Sequence, residues 1–224
     1  IHHNDLDGYI AGTILKVKYP KAKCYCVNYD NPERFPSKEE FNENDVVFMV
    51  DFTASPEMMD WFRDNVDFYW IDHHITAIEN LKHINIPGLQ TTQNSGCMNT
   101  WNFLMENVEN TPMCIRYAND FDIWNKSSEY SWEKQLYPLC YFIQSLGIDL
   151  NDNSGELVQT CYTMLLDNQY TEQCISIGKY IYKFILNTFK VNSKKIYDYI
   201  CNDYNCLLLN STIKGSTQFE QYPG

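Results

Sequence analysis

The sequence predicts an α/β fold in which helices cover both faces of a mostly parallel sheet. A helical region and the start of a C-terminal lobe are expected to follow this domain. Two short, continuous apolar runs, VVFMV at 46–50 and FYWI at 68–71, are typical of strands buried on both faces. The segment between the two runs has the features of a helix. Strand-like and helix-like segments therefore alternate, which favours a parallel sheet with crossover helices.

The elements of this sheet follow in chain order. A leading strand is expected before His3, and residues 7–18 are predicted to form a helix because their apolar residues recur at helical spacing. Residues 23–28 (KCYCVN) are predicted to form a strand. In SPEMMDWFRDN, Ser55 can cap a helix whose first position is a proline, which predicts the helix between the two apolar runs.

Beyond about residue 88 the pattern becomes helical. Helices are predicted at 95–108 and 112–118, along the apolar stripe from Leu157 to Leu165, and from Ile177 to about residue 200, and a strand is predicted at 206–212. We expect three parts: a domain over residues 1–125, a helical region or linker over 126–200, and the beginning of a truncated or reduced C-terminal lobe over 201–224.

Composition narrows the class of protein. The net charge is −12, with most of the acid excess in residues 1–125, which disfavours a general binder of long nucleic acid because phosphate contacts need clustered Lys and Arg. The nine cysteines are odd in number, scattered and without a CxxC pair, which favours reduced thiols and a cytoplasmic location. No apolar run approaches 18 residues, so no membrane span is expected.

Acidic and histidine side chains follow three predicted strands at the point where each strand ends. His3, Asp5 and Asp7 follow the first strand, Asp51 follows VVFMV, and Asp72, His73 and His74 follow FYWI. The carboxyl ends of parallel strands share one edge of a sheet, where ligands bind. Carboxylate and imidazole ligands suit Mn²⁺ or Mg²⁺, and divalent cations would relieve the repulsion among close aspartates. The sequence therefore predicts a metal site at this edge.

These segments resemble a known family. HNDLDG, the aspartate of VDFT, and IDHH resemble the first three motifs of the DHH phosphoesterase superfamily, whose members include RecJ-like exonucleases and oligoribonuclease-like enzymes. YANDFDIW at 117–124 resembles the fourth motif, and SGCMNTW at 95–101 resembles the helix start that often follows the DHH triplet. The resemblance covers about residues 1–125 and implies a DHH-type catalytic domain there.

The resemblance also implies roles for individual residues and a cofactor of two divalent cations, with Mn²⁺ preferred and Mg²⁺ as the alternative. The implied metal ligands are His3 and Asp5 for one ion, Asp7, His73 and Asp120 for the other, and Asp51 as a bridge. Asp122 competes with Asp120 for the fourth-motif position. His74 would face the substrate phosphate as a proton donor, and Asp72 would orient its neighbours. Ser95 and Asn99 are candidates for substrate contact, although a helix cap is an alternative for Ser95.

The expected activity is metal-dependent hydrolysis of phosphodiester or phosphomonoester bonds in short oligonucleotides or small nucleotides, by a two-metal mechanism. A RecJ-like single-stranded DNA exonuclease and a pyrophosphatase or exopolyphosphatase are alternative enzymes. A nucleotide-binding module that keeps the fold is the alternative without catalysis. The expected partner is a phosphate-containing small molecule or short oligonucleotide, while long nucleic acid and a homodimer are left open.

Overall fold

The computed structural model describes residues 1–30, 32–105, 108–146, 156–193, 197–201 and 204–208. Five strands form one all-parallel sheet in the order β2-β1-β3-β4-β5, which confirms the predicted α/β fold. The strands of this sheet are β1 (His2–His3), β2 (Cys26–Val27), β3 (Val46–Val50), β4 (Asp67–Asp72) and β5 (Gly88–Gln90). A separate antiparallel pair consists of β6 (Tyr197–Cys201) and β7 (Tyr204–Leu208).

Helices surround the sheet. They are α1 (Leu6–Lys18), α2 (Pro56–Asn65), α3 (Ile75–Leu81), α4 (Gly96–Leu104), α5 (Met113–Asp122), α6 (Tyr137–Ser145), α7 (Glu156–Leu166) and α8 (Asn168–Ser193). A π-helical turn, Trp132–Leu136, precedes α6. Among the described residues, no helix is both long enough and apolar enough to cross a membrane.

The two central strands, both predicted from the sequence, pair in parallel. β3 and β4 pair along their whole apolar runs, from Val46 opposite Asp67 to Val50 opposite Ile71. The helix between them begins as its sequence predicts, because the Ser55 hydroxyl accepts from the Met58 amide and proline occupies the first turn. This crossover brings the carboxyl ends of both strands to the same edge of the sheet.

Two apolar cores lie on opposite faces of the sheet. One contains residues of α1, α4 and α5 together with residues of α6 and α7, including Ile10, Ile115 and Leu139. The other is formed by residues of β3, β4 and α2, including Met49 and Phe62. The sheet is therefore covered on both faces, as strands without polar alternation require.

Several boundaries differ from the sequence predictions. The strand predicted at 23–28 is only Cys26–Val27, and the short elements α3 and β5 were not predicted. The long C-terminal helix ends at Ser193, and residues predicted to continue it form β6 instead. β6 contains two tyrosines and an isoleucine, and these residue types favour a strand when a partner strand is available.

The helical region shares its core with the α/β part of the chain. Leu136, Leu157 and Met164 belong to the same buried cluster as Ile10 of α1. The boundary expected near residue 125 stays a prediction. Of the predicted strand 206–212, Cys206–Leu208 lie in β7, and residues 209–224 of the expected C-terminal lobe lie outside the described residues.

Candidate metal centre

The strand order creates a crevice at the carboxyl edge of the sheet. The connection from β1 runs outward to β2, whereas β3 lies on the other side of β1, so the chain changes direction between β1 and β3. Ligands bind at such a switch point in open α/β sheets. The residues after β1, β3 and β4 are the acidic and histidine residues picked out from the sequence.

The first part of the cluster is built by the start of α1. Asp5 caps this helix, and its Oδ1 accepts from the Gly8 amide at 2.9 Å. The other oxygen, Oδ2, lies 2.7 Å from His3 Nδ1. A Cβ at position 8 would lie 2.3 Å from the His3 carbonyl oxygen, so glycine allows this turn to close. His2 is not part of the cluster, because its ring is buried against Gly12.

Asp7 joins α1 to α4. Its buried carboxylate accepts from the backbone amides of Gly96 at 2.6 Å and Cys97 at 3.0 Å. These amides lie at the N-terminus of α4, where the helix dipole also favours a negative charge. Asp7 therefore performs the capping that was considered for Ser95, whose side chain makes no capping bond.

Asp51 occupies the centre of the cluster in an unusual state. It is 1% exposed, its φ is 52°, and neither of its carboxylate oxygens has a hydrogen-bond partner among the described residues. A Cβ at position 96 would lie 2.5 Å from the Asp51 Cβ, so Gly96 leaves the space that this side chain occupies. Burial and the nearby carboxylates, chiefly Asp7, raise the pKa of Asp51 well above its usual value.

His73 lies among three carboxylates. Its Nε2 is 3.2 Å from Asp51 Oδ1, 3.3 Å from Asp122 Oδ2 and 3.9 Å from Asp7 Oδ2. The contact with Asp51 is within ion-pair distance but outside hydrogen-bond geometry. Burial lowers the pKa of His73, which favours the neutral imidazole that a metal ion requires.

The fourth predicted motif lies at the end of α5. There the structure favours Asp122 over Asp120 as the potential metal ligand. Asp120 accepts from Asn125 Nδ2 at 3.1 Å and Ser128 Oγ at 2.5 Å, and so stabilises the turn after the helix. Asp122 instead faces His73, and burial together with Asp7 raises its pKa to about 8. This placement reverses the preference for Asp120 drawn from the sequence.

Asp72 and His74 form a hydrogen-bonded pair beside the cluster. The buried Asp72 carboxylate accepts from His74 Nδ1 at 2.7 Å and from the His73 amide at 2.7 Å. Burial alone would raise the pKa of Asp72, but the hydrogen bonds from His74 and Thr53 lower it. The same bond, which His74 donates to the Asp72 carboxylate, raises the pKa of His74. The His74 side chain is 40% exposed, so its ring reaches solvent at the mouth of the crevice.

The donor set fits divalent cations. Among the residues that the structure describes, potential ligand atoms lie within 4.8 Å of one another in three groups: His3, Asp5 and Asp51; Asp7, His73 and Asp122; and Asp51, Asp72, His73 and His74. All are carboxylate oxygens or imidazole nitrogens, which suit Mn²⁺ or Mg²⁺ rather than a soft ion. Asp51 belongs to two of these groups. Its two carboxylate oxygens, which have no hydrogen-bond partner among the described residues, could each contact a cation.

The two predicted substrate contacts lie inside the protein. Ser95 and Asn99 are both 0% exposed. Asn99 Nδ2 donates to the carbonyl oxygen of Thr91 at 2.9 Å, which fixes the loop before α4. These positions give both residues a structural role.

Sequence reasoning missed residues that shape the site without lying in its motifs. Gly96 and Thr53 are examples: the first admits the Asp51 side chain, and the second bonds to Asp72. The only signal for Thr53 was its place two residues after Asp51. A cavity of about 130 Å³ adjoins the cluster at Asp5, Asp7 and Asp122, whereas a larger one of about 1020 Å³ lies away from it, beside Val46 and Asp67.

Comparison with known proteins gives a fold but no family. No family model matches the chain, and no curated protein matches it. A solved structure of an uncharacterized protein from Helicobacter pylori G27 is similar, with a TM-score of 0.51 and 17% sequence identity. The similarity covers 80% of this chain and 61% of that protein, so the chain spans less than two thirds of its length. At this identity the likeness supports the α/β fold alone.

Proposed function

We propose that this chain is a DHH-type, metal-dependent phosphoesterase that uses two divalent cations, with Mn²⁺ preferred over Mg²⁺. The placement of the motif residues around one crevice supports this proposal. His3, Asp5 and Asp51 would hold one cation, and Asp7, His73 and Asp122 the other, with Asp51 shared between them. This is the arrangement that the resemblance implies, except that Asp122 replaces Asp120.

One observation carries the proposal: within the described part of the chain, the buried carboxylate of Asp51 has no hydrogen-bond donor for either oxygen. A buried polar group without a hydrogen-bond partner destabilises the folded state by about 1–3 kcal/mol. A buried ion without a partner destabilises it by more. Asp5, Asp7 and Asp122 add further negative potential, because all three raise the Asp51 pKa. A cation is the simplest partner that compensates all of them.

The protein's own side chains would bind and orient the substrate around this centre. Divalent cations at such a site supply Lewis-acid chemistry that favours attack of water on phosphorus. His74 is held through Nδ1 by Asp72, and its partly exposed ring leaves Nε2 to hold a proton for the departing oxygen. Asp72 is acceptor to three donors of residues 73 and 74, which fixes the direction of that ring.

The substrate we favour is a short oligonucleotide or small nucleotide. The net charge of −12 is unfavourable for a long anionic strand, which needs a basic track. A small substrate can instead be held mainly by the metal ions. We place the protein in the cytoplasm on the basis of its scattered cysteines; Cys26, Cys97, Cys114, Cys140, Cys161 and Cys174 are thiols outside any disulfide.

The test is a hydrolysis assay with Mn²⁺ on a panel: pyrophosphate, a nucleoside bisphosphate, a cyclic dinucleotide, a five-nucleotide RNA and a long single-stranded DNA. We expect EDTA-sensitive hydrolysis of the small nucleotide or the short RNA, and its loss in Asp51→Asn. Preference for long single-stranded DNA would favour the exonuclease. No hydrolysis of any substrate by a chain that binds Mn²⁺ would favour a binding module.

A further inference from the structure

We propose that Thr53, supported by Trp70, is a positioning residue that sets the proton arrangement of His74 through Asp72; this inference rests on the proposed function. Thr53 follows β3 and lies two residues after Asp51, and Trp70 is a buried residue of β4. Neither residue is among the potential metal ligands. Both are linked to His74 by a continuous chain of hydrogen bonds.

The first link fixes the Thr53 hydroxyl. Trp70 Nε1 donates to Thr53 Oγ1 at 3.1 Å. An indole nitrogen is a donor only, so the hydroxyl oxygen must accept this bond and its own proton is directed elsewhere. Thr53 Oγ1 donates that proton to Asp72 Oδ2. The donor and the acceptor of both bonds therefore follow from the types of the groups involved, without any assumption about hydrogen positions.

The second link fixes the Asp72 carboxylate. With Oδ2 held by Thr53, the other oxygen, Oδ1, accepts from the amides of His73 at 2.7 Å and His74 at 3.3 Å and lies 2.7 Å from His74 Nδ1. An ionised carboxylate only accepts hydrogen bonds. His74 Nδ1 must therefore carry a proton, and Nε2 is the nitrogen left for the substrate: it carries the second proton in the imidazolium form, which can act as a proton donor, and a lone pair in the neutral ring.

Removal of the Thr53 hydroxyl would release this arrangement. Valine has the shape of threonine but would leave Trp70 Nε1 without its acceptor and Asp72 Oδ2 without its donor. The carboxylate could then turn out of the plane in which it accepts from His74 Nδ1, and the weaker bond would no longer hold His74 in one tautomer. Mutation of a residue that orients a catalytic or metal-binding group in this way typically lowers activity or metal affinity by about 10–100-fold.

The experiment compares Thr53→Val with Thr53→Ser and Trp70→Phe in the whole chain. Side-chain ¹⁵N NMR of the histidines, with His74→Ala to assign the signal, reports the tautomer without any need for activity. We expect the Nδ1-protonated form in the wild type and in Thr53→Ser, and a mixture of tautomers in Thr53→Val. Trp70→Phe should shift the same signal, and it keeps the test valid if Thr53→Val does not fold.

Kinetics and metal binding supply the second readout. On the substrate found with the panel, Thr53→Val should lower kcat by about 10-fold or more with KM and Mn²⁺ affinity little changed, and Thr53→Ser should recover kcat. A neutral wild-type His74 that carries its proton on Nε2, or a tautomer unaffected by Thr53→Val and Trp70→Phe, would overturn the inference. If no substrate is hydrolysed, the proposed function fails, but the NMR result still decides whether Thr53 positions His74.

Discussion

Asp51 combines two features that folded proteins usually avoid. Its φ of 52° lies in the left-handed region, which is uncommon for residues other than glycine, although aspartate tolerates it better than most. Its carboxylate is also buried without a hydrogen-bond partner among the described residues. Strain of this kind persists where the surrounding structure enforces it, typically at functional sites. The other such residue among those described, Trp124, lies two positions after Asp122.

A prediction about stability follows for Asp51. In EDTA, Asp51→Asn should raise the free energy of unfolding, on the order of 1 kcal/mol, because it removes a buried charge that its neighbours repel. The raised pKa of Asp51 expresses the same cost, since it means that the protein disfavours the ionised form. Chemical denaturation with and without Mn²⁺ measures both effects. The variant should also lose any stabilisation by Mn²⁺, and an Asp51→Asn protein that keeps it would contradict the bridging role.

Asp120 and Asp122 provide a matched pair of variants. Asp122→Asn should weaken Mn²⁺ binding and hydrolysis, because its carboxylate faces His73. Asp120→Asn should leave Mn²⁺ binding close to that of the wild type, because Asp120 bonds to Asn125 and Ser128 instead. Calorimetric titration of both variants with Mn²⁺ compares them directly. The opposite ranking would restore Asp120 as the ligand.

His74 should be more important for turnover than for metal content. His74→Ala is expected to lower kcat by roughly 10²–10⁴-fold, the usual contribution of a general acid, while two metal ions remain bound. Kinetic assays combined with elemental analysis separate the two quantities. His83, an exposed histidine outside the cluster, provides the control variant His83→Ala. Loss of both metals in His74→Ala would instead identify His74 as a ligand.

At the scale of elements, the first turn of α4 packs against the candidate metal centre. Its N-terminal amides donate to Asp7, and Gly96 is in contact with Asp51. A helix that approaches this closely cannot carry a side chain at position 96. The start of α4 therefore sets where both Asp7 and Asp51 lie, although α4 contributes no potential ligand of its own.

Gly96→Ala tests this close approach. The new Cβ would lie 2.5 Å from the Asp51 Cβ, so either α4 or Asp51 must move. We expect destabilisation of about 1–3 kcal/mol, typical of overpacking, together with weaker Mn²⁺ binding. Gly178→Ala is the matched control, because its Cβ would lie 2.0 Å from the Pro138 carbonyl oxygen, where α8 packs on α6. That variant should lose stability while its Mn²⁺ affinity is kept; equal Mn²⁺ affinity in both would contradict the role of Gly96.

At the scale of the whole molecule, the candidate metal centre brings together elements that are distant in the chain. Its potential ligands come from the segments after β1, β3 and β4 and from the end of α5. Cations bound there would link the sheet to the helical core, because α5 packs against α1, α4 and α7. An unfolded chain cannot present these groups together.

Mn²⁺ should therefore raise the thermal stability of the protein. At a free concentration 100 times Kd, binding to the folded state alone adds about 2.7 kcal/mol. For a chain of this size that corresponds to roughly 5–10 °C in Tm, at about 2–4 °C per kcal/mol. Scanning calorimetry at increasing Mn²⁺ measures the shift, with Asp51→Asn as the control. A Tm independent of Mn²⁺ would argue against a metal centre that joins these segments.

The sequence by itself determined the fold class and most of the cluster. Apolar runs without polar alternation require a sheet covered on both faces. The residues that follow such parallel strands meet at one edge of the sheet. For this reason the sequence alone could place His3, Asp51 and His73 close together. The short elements α3 and β5 could not be found in this way, because seven and three residues carry too little periodicity.

Only the tertiary structure decided between neighbouring candidates. Asp120 and Asp122 are two residues apart on one helix and point about 200° apart around its axis, so the packing of α5 determines which one faces His73. Ser95 and Asn99 likewise look available in the sequence, yet they are buried by the close approach of α4. The physical reason is that residue type and local spacing determine what an element can present, whereas the direction it faces depends on contacts between residues far apart in the chain.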